Sequence, residues 1–144
     1  MGWAGAPAFF IAEEVAMEQD RLTASIIASA LIVHKALGPG CLESAYRHGL
    51  AHDLKLKGFC VEIEKTLPLI YNGVRTKKGY RLDLFVENKI VVEVKAAKAI
   101  LPIDIAQMQT YLTLTEAPVG LIINFNVRFL KDGLRRVIWR PPLR

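Results

Sequence analysis

Apolar positions recur at helical spacing from Leu22 to Leu37, at Leu22, Ile26, Ile27, Ala30, Leu31 and Leu37, and Gly38-Pro39-Gly40 closes the pattern. Glycine suits the position after a helix end and proline cannot continue one, so a helix is predicted over Leu22–Leu37. A second stripe (Leu42, Ala45, Tyr46, Gly49, Leu50, Leu54) predicts a helix over Cys41–Lys57, ended by Gly58. From Phe59 the period drops to two. Phe59–Glu64 alternates, Leu67–Tyr71 reads as the next strand, and Asn72-Gly73 marks a type I′ hairpin turn. Gly79–Val86 and Lys89–Ala96 are two further strands joined around Glu87-Asn88. A third helix follows over about Asp104–Thr115, with Ile105, Met108, Tyr111 and Leu112 on its inner side. Val119–Phe125 is apolar throughout, as in a central strand covered on both faces, and the turn Asp132-Gly133 leads to a last strand, Leu134–Trp139. The order ααβββ(β)αββ predicts an α/β chain of the α+β kind, with a central mixed β-sheet flanked by α-helices.

Length adds that 144 residues make one domain, with residues 1–20 as a poorly patterned leader and residues 21–144 as the globular part. With 52% hydrophobic and 23% charged residues, a disordered, collagenous or coiled-coil chain is excluded. The longest uncharged run, Leu22–Val33, falls short of the ~20 residues that span a bilayer, so no membrane partner is expected. The leader lacks the basic start of a signal peptide, and Glu13 and Glu14 interrupt it. Cys41 and Cys60 form no CxxC pair, which predicts free thiols acting as packing residues in a reducing, cytoplasmic setting. Nineteen Lys and Arg against fourteen Asp and Glu leave a charge of +5, which admits an anionic partner, nucleic acid above all. Trp3, Phe9 and Phe10 leave two options open: packing on the domain, or self-association into a homo-oligomer.

The candidate chemistry lies on two strands. In Lys89–Ala96, Ile90, Val92 and Val94 form an outward set, while Val91, Glu93 and Lys95 share the opposite face. If the hairpin pairs as the pattern implies, Asp83 sits beside Glu93 and Lys95. Burying two carboxylates together is unfavourable unless a cation neutralises them, and such an oxygen-rich site suits Mg²⁺ or Mn²⁺. The Val94 carbonyl is a further candidate ligand, and Lys95 would bring a positive charge to an attacking water or a developing phosphorane oxygen. A salt bridge on a solvated face explains the same spacing. Glu43, in the first turn of the second helix, fits either a role in the site or a favourable interaction with the helix dipole. Gln107 and Tyr111, at i and i+4, face one way on the third helix and suit a phosphate or a carboxylate, or simply an amphipathic helix.

Together these stretches resemble the GxxExxY proteins of the PD-(D/E)XK nuclease-like superfamily: Gly40 to Tyr46, Gly79 to Asp83 with Glu93-Val94-Lys95, Ala106-Gln107 with Tyr111-Leu112, and Gly120 to Phe125. The resemblance covers about Leu22 to Trp139 and implies a restriction-endonuclease-like core in the 21–144 domain. It further implies a catalytic set of Glu43, Asp83, Glu93, Lys95, Gln107 and Tyr111, with Asp83, Glu93, Val94 and Glu43 around the metal. Leu82 stands where the superfamily's eponymous proline would be. The implied activity is a Mg²⁺- or Mn²⁺-dependent nuclease acting on DNA or RNA. A catalytically silent module binding nucleic acid or protein, and a hydrolase of small phosphate esters, are the alternatives.

Other signals are weaker. His48 and His52 are spaced like a metal pair but lack a third ligand, which favours a solvated helix face, and His34 near a helix end suits the dipole. Arg81 shares Asp83's strand face, where it suits a phosphate or a rim salt bridge. Lys131, Arg135, Arg136, Arg140 and Arg144 form a basic edge that suits a nucleic-acid backbone.

Overall fold

The computed structural model describes residues 8–76 and 79–142, and residues 8–15 by backbone alone. Its elements are α1 (Ala8–Leu37), α2 (Glu43–Leu56), β1 (Val61–Leu67), β2 (Ile70–Tyr71), β3 (Val74–Arg75), β4 (Tyr80–Val86), β5 (Ile90–Lys95), α3 (Pro102–Thr115), β6 (Val119–Asn124), a 3-10 turn over Leu130–Gly133, and β7 (Leu134–Ile138). Five strands form one mixed sheet in the order β1-β4-β5-β6-β7, in which β5 and β6 run parallel and the other neighbours antiparallel. Among the described residues no helix is long and apolar enough to cross a membrane.

The sheet is covered on both faces. Ile26 and Ala30 of α1 and Tyr46, Leu50 and Leu54 of α2 pack with Leu84, Val92, Val94, Leu121 and Ile123. Met108, Tyr111 and Leu112 of α3 pack on the other side with Phe85, Val91 and Ile122. The two faces of β5 therefore divide as the alternation requires, but the set expected to point outward, Ile90, Val92 and Val94, is fully buried beneath α1 and α2. All six residues of β6 are buried, as its unbroken apolar run requires.

The structure departs from the sequence reading at several points. Helix α1 starts at Ala8, so most of the segment read as a leader is helical. Propensity explains this better than periodicity, since neither glycine nor proline occurs from Ala8 to Leu37. Ion pairs from Glu18 to Lys89 and from Asp20 to Arg136 tie the mostly exposed stretch 16–20 of this helix to the rest of the domain. The strand expected over Leu67–Tyr71 is split: Leu67 ends β1, and only Ile70–Tyr71 pairs, with β3, around a turn in which Asn72 (φ 52°) and Gly73 (φ 76°) are both left-handed. Helix α3 begins at Pro102, two residues early, because proline is favoured in a first helical turn and Asp104 reaches back to accept the Leu101 amide at 2.8 Å.

Cys60 is exposed rather than a packing residue, because Phe59 takes the inward position at the entry to β1; Cys41 is half-buried, and both thiols are free. His34 does more than sit at a helix end, since its Nε2 lies 2.7 Å from the Val127 carbonyl and pins the segment after β6. His48 and His52 are exposed, in keeping with a solvated face. Trp3 and Arg144 lie outside the described residues, as do the side chains of Phe9 and Phe10.

Candidate active site

The β4–β5 ladder runs from Val86 opposite Ile90 to Leu84 opposite Val92 and then stops. Beyond it, two side chains replace the backbone partners. The Asp83 amide donates to Glu93 Oε1 (3.0 Å), and the Val94 amide donates to Asp83 Oδ2 (2.8 Å). Each carboxylate thus caps the opposite strand where the strands part. The alternation of β4 breaks at the same point: Leu82 joins the α3 core, whereas Leu84 joins the core under α1 and α2. The expected meeting of Asp83 and Glu93 is present, and the interruption of the sheet is what makes room for it.

Burial sets the electrostatics of the pair. Glu93 is only 7% exposed. Desolvation above all, and then the neighbouring Asp83 charge, push its carboxyl up to about 8, while Lys95 pulls in the opposite direction. At neutral pH without a cation, Glu93 therefore holds its proton. Tyr111 is nearly buried; desolvation, followed by the charges of Glu93 and Asp83, raises its hydroxyl to about 12, against a hydrogen bond from Gln107. The phenol stays protonated and available as a donor. Its ring meets Tyr80 edge-on at 5.8 Å.

Lys95, at the end of β5, is held from two sides. Its Nζ lies 3.7 Å from Asp104 Oδ1 at the start of α3, and its carbonyl accepts the Phe125 amide at 2.9 Å. Asn124, opposite Lys95 in the parallel register and 2% exposed, accepts the Ala97 and Asn126 amides (3.1 and 3.2 Å) and donates to the Ala97 carbonyl (2.9 Å). It thereby ties together the exits of β5 and β6. Asn124→Leu keeps the volume, removes the acceptor of the Ala97 and Asn126 amides and leaves the Ala97 carbonyl only the 3.5 Å contact from Asn126 Nδ2, so we expect a loss of about 1–3 kcal/mol in urea unfolding. An unchanged midpoint would show that water replaces the amide.

Two residues enter the site without having been singled out from the sequence. Arg47 of α2 reaches Asp83 Oδ1 at 3.5 Å and Glu64 Oε1 at 2.9 Å, and Glu64 faces Asp83 across the β1–β4 register in a left-handed conformation (φ 53°). Such backbone costs ~1–3 kcal/mol in a residue other than glycine, which the Arg47 pair helps to offset. Arg47 did leave a trace in the sequence. It occupies the buried stripe of α2, three, four and seven residues before Leu50, Ala51 and Leu54, where a charge needs a partner. No local pattern marks Glu64.

The third expected acid is not gathered in. Glu43 opens α2, exposed and, among the described residues, without an ion pair, one turn ahead of Arg47, which takes the contact with Asp83 itself. Among the described residues no group of three His, Cys, Asp or Glu side chains is placed to hold a metal ion. Arg81 is exposed and makes no ion pair among the described residues. The other motif positions around Glu43 hold the elbow between α1 and α2: Gly40 is left-handed (φ 94°), and the buried Tyr46 hydroxyl accepts the Cys41 amide and donates to the Gly38 carbonyl. The Tyr46 ring stacks on Phe125 at 4.6 Å.

The donor set fits a hard divalent ion. Two carboxyl groups meet in the gap between β4 and β5, and burial together with the neighbouring Asp83 charge holds Glu93 protonated. The Val94 carbonyl turns to the same side of β5 as its Asp83-bonded amide.

The profile of a family described as the PD-(D/E)XK nuclease superfamily matches residues 20–137. A solved structure titled "Crystal structure of SSO0001" is similar at 22% identity and a TM-score of 0.48, over 89% of this chain. This chain spans 62% of that one's length. No curated protein sequence matches.

Proposed function

This chain belongs to the PD-(D/E)XK nuclease superfamily, and from that premise we propose that it is a divalent-metal-dependent nuclease, of the GxxExxY type, that hydrolyses phosphodiester bonds in DNA or RNA. The observation that carries the reading is the mutual capping of Asp83 and Glu93 where β4 leaves β5, with Lys95 two residues on. Asp83, Glu93 and the Val94 carbonyl are the proposed ligands of Mg²⁺ or Mn²⁺, and Glu43, which stands apart from them on α2, is the further acid proposed for the ion. A divalent ion bound there supplies Lewis-acid stabilisation of the phosphoryl oxygens.

The protein's own groups do the rest. Lys95, steered by Asp104, sets a fixed positive charge beside the carboxylates, where charge develops on the phosphorus-bound oxygens. Tyr111 keeps its proton and donates a hydrogen bond, with Gln107 orienting the hydroxyl. Tyr46 holds the elbow between α1 and α2 that precedes Glu43.

Isothermal titration with Mn²⁺, paired with cleavage of labelled single-stranded DNA, duplex DNA and RNA in Mg²⁺ or Mn²⁺, tests the assignment. Saturable Mn²⁺ binding together with chelator-sensitive cleavage is expected. No saturable binding and no cleavage of any polymer would overturn it.

A further inference from the structure

A groove outside the carboxylate pair has the composition of a nucleic-acid track. A cavity of about 700 Å³ lies between the C-terminal end of α1, the Gly38-Pro39 elbow and the segment after β6, lined among others by Lys35, Arg128, Phe129 and Lys131. Among the described residues no acidic residue lines it, and Lys35, Arg128 and Lys131 form no ion pair. Between these cations stands Phe129, 54% exposed, with the Arg128 guanidinium 5.1 Å and the Lys131 ammonium 6.0 Å from its ring centre. The segment that carries it is anchored by His34 on the Val127 carbonyl and by Leu130, which is buried in the core. The ring is therefore presented on a fixed support.

We propose that this groove binds single-stranded nucleic acid, with Phe129 as the platform for one base and Lys35, Arg128 and Lys131 on the flanking phosphates. An exposed aromatic ring between unpaired cations matches the two surfaces of a single strand, a π-face and a charged backbone; in a duplex the base faces are already stacked. The groove opens at the end of the sheet where β5 and β6 finish, the end that carries Lys95 and Asn124. The proposal rests on the nuclease reading for the class of ligand.

The test uses the full chain in a chelator, which separates binding from cleavage. Fluorescence anisotropy is read with labelled oligo-dT and oligo-U of about 12 nucleotides and with a duplex of equal length, across a salt series. Phe129→Ala is expected to weaken both single-stranded probes about tenfold and leave the duplex unchanged, while Phe129→Trp retains binding. Arg128→Gln and Lys131→Gln should each lower the slope of log K against log salt by about 0.7. Wild-type affinity in Phe129→Ala, or an equal loss for the duplex, overturns the groove. If the groove variants bind normally while Mn²⁺-dependent cleavage is present in the wild type, the groove assignment fails and the nuclease reading stands. Loss of binding in these variants, in a protein that cleaves nothing, supports the groove and counts against the nuclease.

Discussion

Asp83→Ala is expected to remove divalent-ion-dependent cleavage by more than about 100-fold, beyond the 10–100-fold typical of losing a group that merely supports a metal ligand. The reason is local. Asp83 accepts the Val94 amide through Oδ2, supplies half of the carboxylate pair, and neutralises Arg47 through Oδ1. Alanine loses all three roles, and saturable Mn²⁺ binding should disappear with them. Asp83→Asn keeps an oxygen for the Val94 amide but not the charge, so it should retain the fold and lose the ion. Circular dichroism separates loss of chemistry from loss of structure. Equal cleavage by wild-type and Asp83→Ala preparations would trace the activity to a contaminant and sink the assignment.

The second large effect concerns stability against pH. The Glu93 carboxyl is raised to about 8 in the folded chain, from a reference of 4.5. Between those values the folded state binds the proton and the unfolded state does not, so stability falls as pH rises. The contribution is complete below about 4.5 and is lost as pH passes through about 8. With ~1.4 kcal/mol per pKa unit, the loss is on the order of a few kcal/mol. Urea unfolding in a chelator should therefore give a lower midpoint at about pH 8.5 than at about pH 5. Glu93→Gln should flatten the profile and stabilise the chain at the higher pH while abolishing cleavage. Mg²⁺ or Mn²⁺ should restore the wild type at high pH and do little at low pH, since the ion needs the ionised carboxylate. A wild-type midpoint that does not move with pH would mean that Glu93 is not held protonated.

Much of the architecture could be read from local spacing. The helix stripes, the Asn72-Gly73 turn, the all-apolar run of β6 and the two-faced division of β5 each depend on neighbours within a few residues, so one chain carries the signal. What escaped has a different origin. The early start of α1 reflects uninterrupted propensity with contacts to Lys89 and Arg136 far along the chain; the split of Leu67–Tyr71, by contrast, is local, since Pro68 has no amide to donate to a ladder. In the site, Asp83, Glu93, Lys95, Gln107 and Tyr111 could be nominated from their types and spacing, whereas Arg47, Glu64 and Asp104 are joined to them only by the fold. Glu43 could be nominated in the same way, yet it stands one turn short of the pair.

By itself, then, the order of side chains determined which face of each helix and strand is buried, where the chain turns, and which few polar groups stand out of place on apolar elements. The tertiary structure alone decided that β4 leaves β5 after Leu84, that Asp83 and Glu93 each cap the other's strand in the gap, and that Arg47 rather than Glu43 reaches them. The physical reason is range: periodicity is written between residues a turn apart, but the partner of a buried charge is chosen by whatever backbone the whole fold brings within about 4 Å.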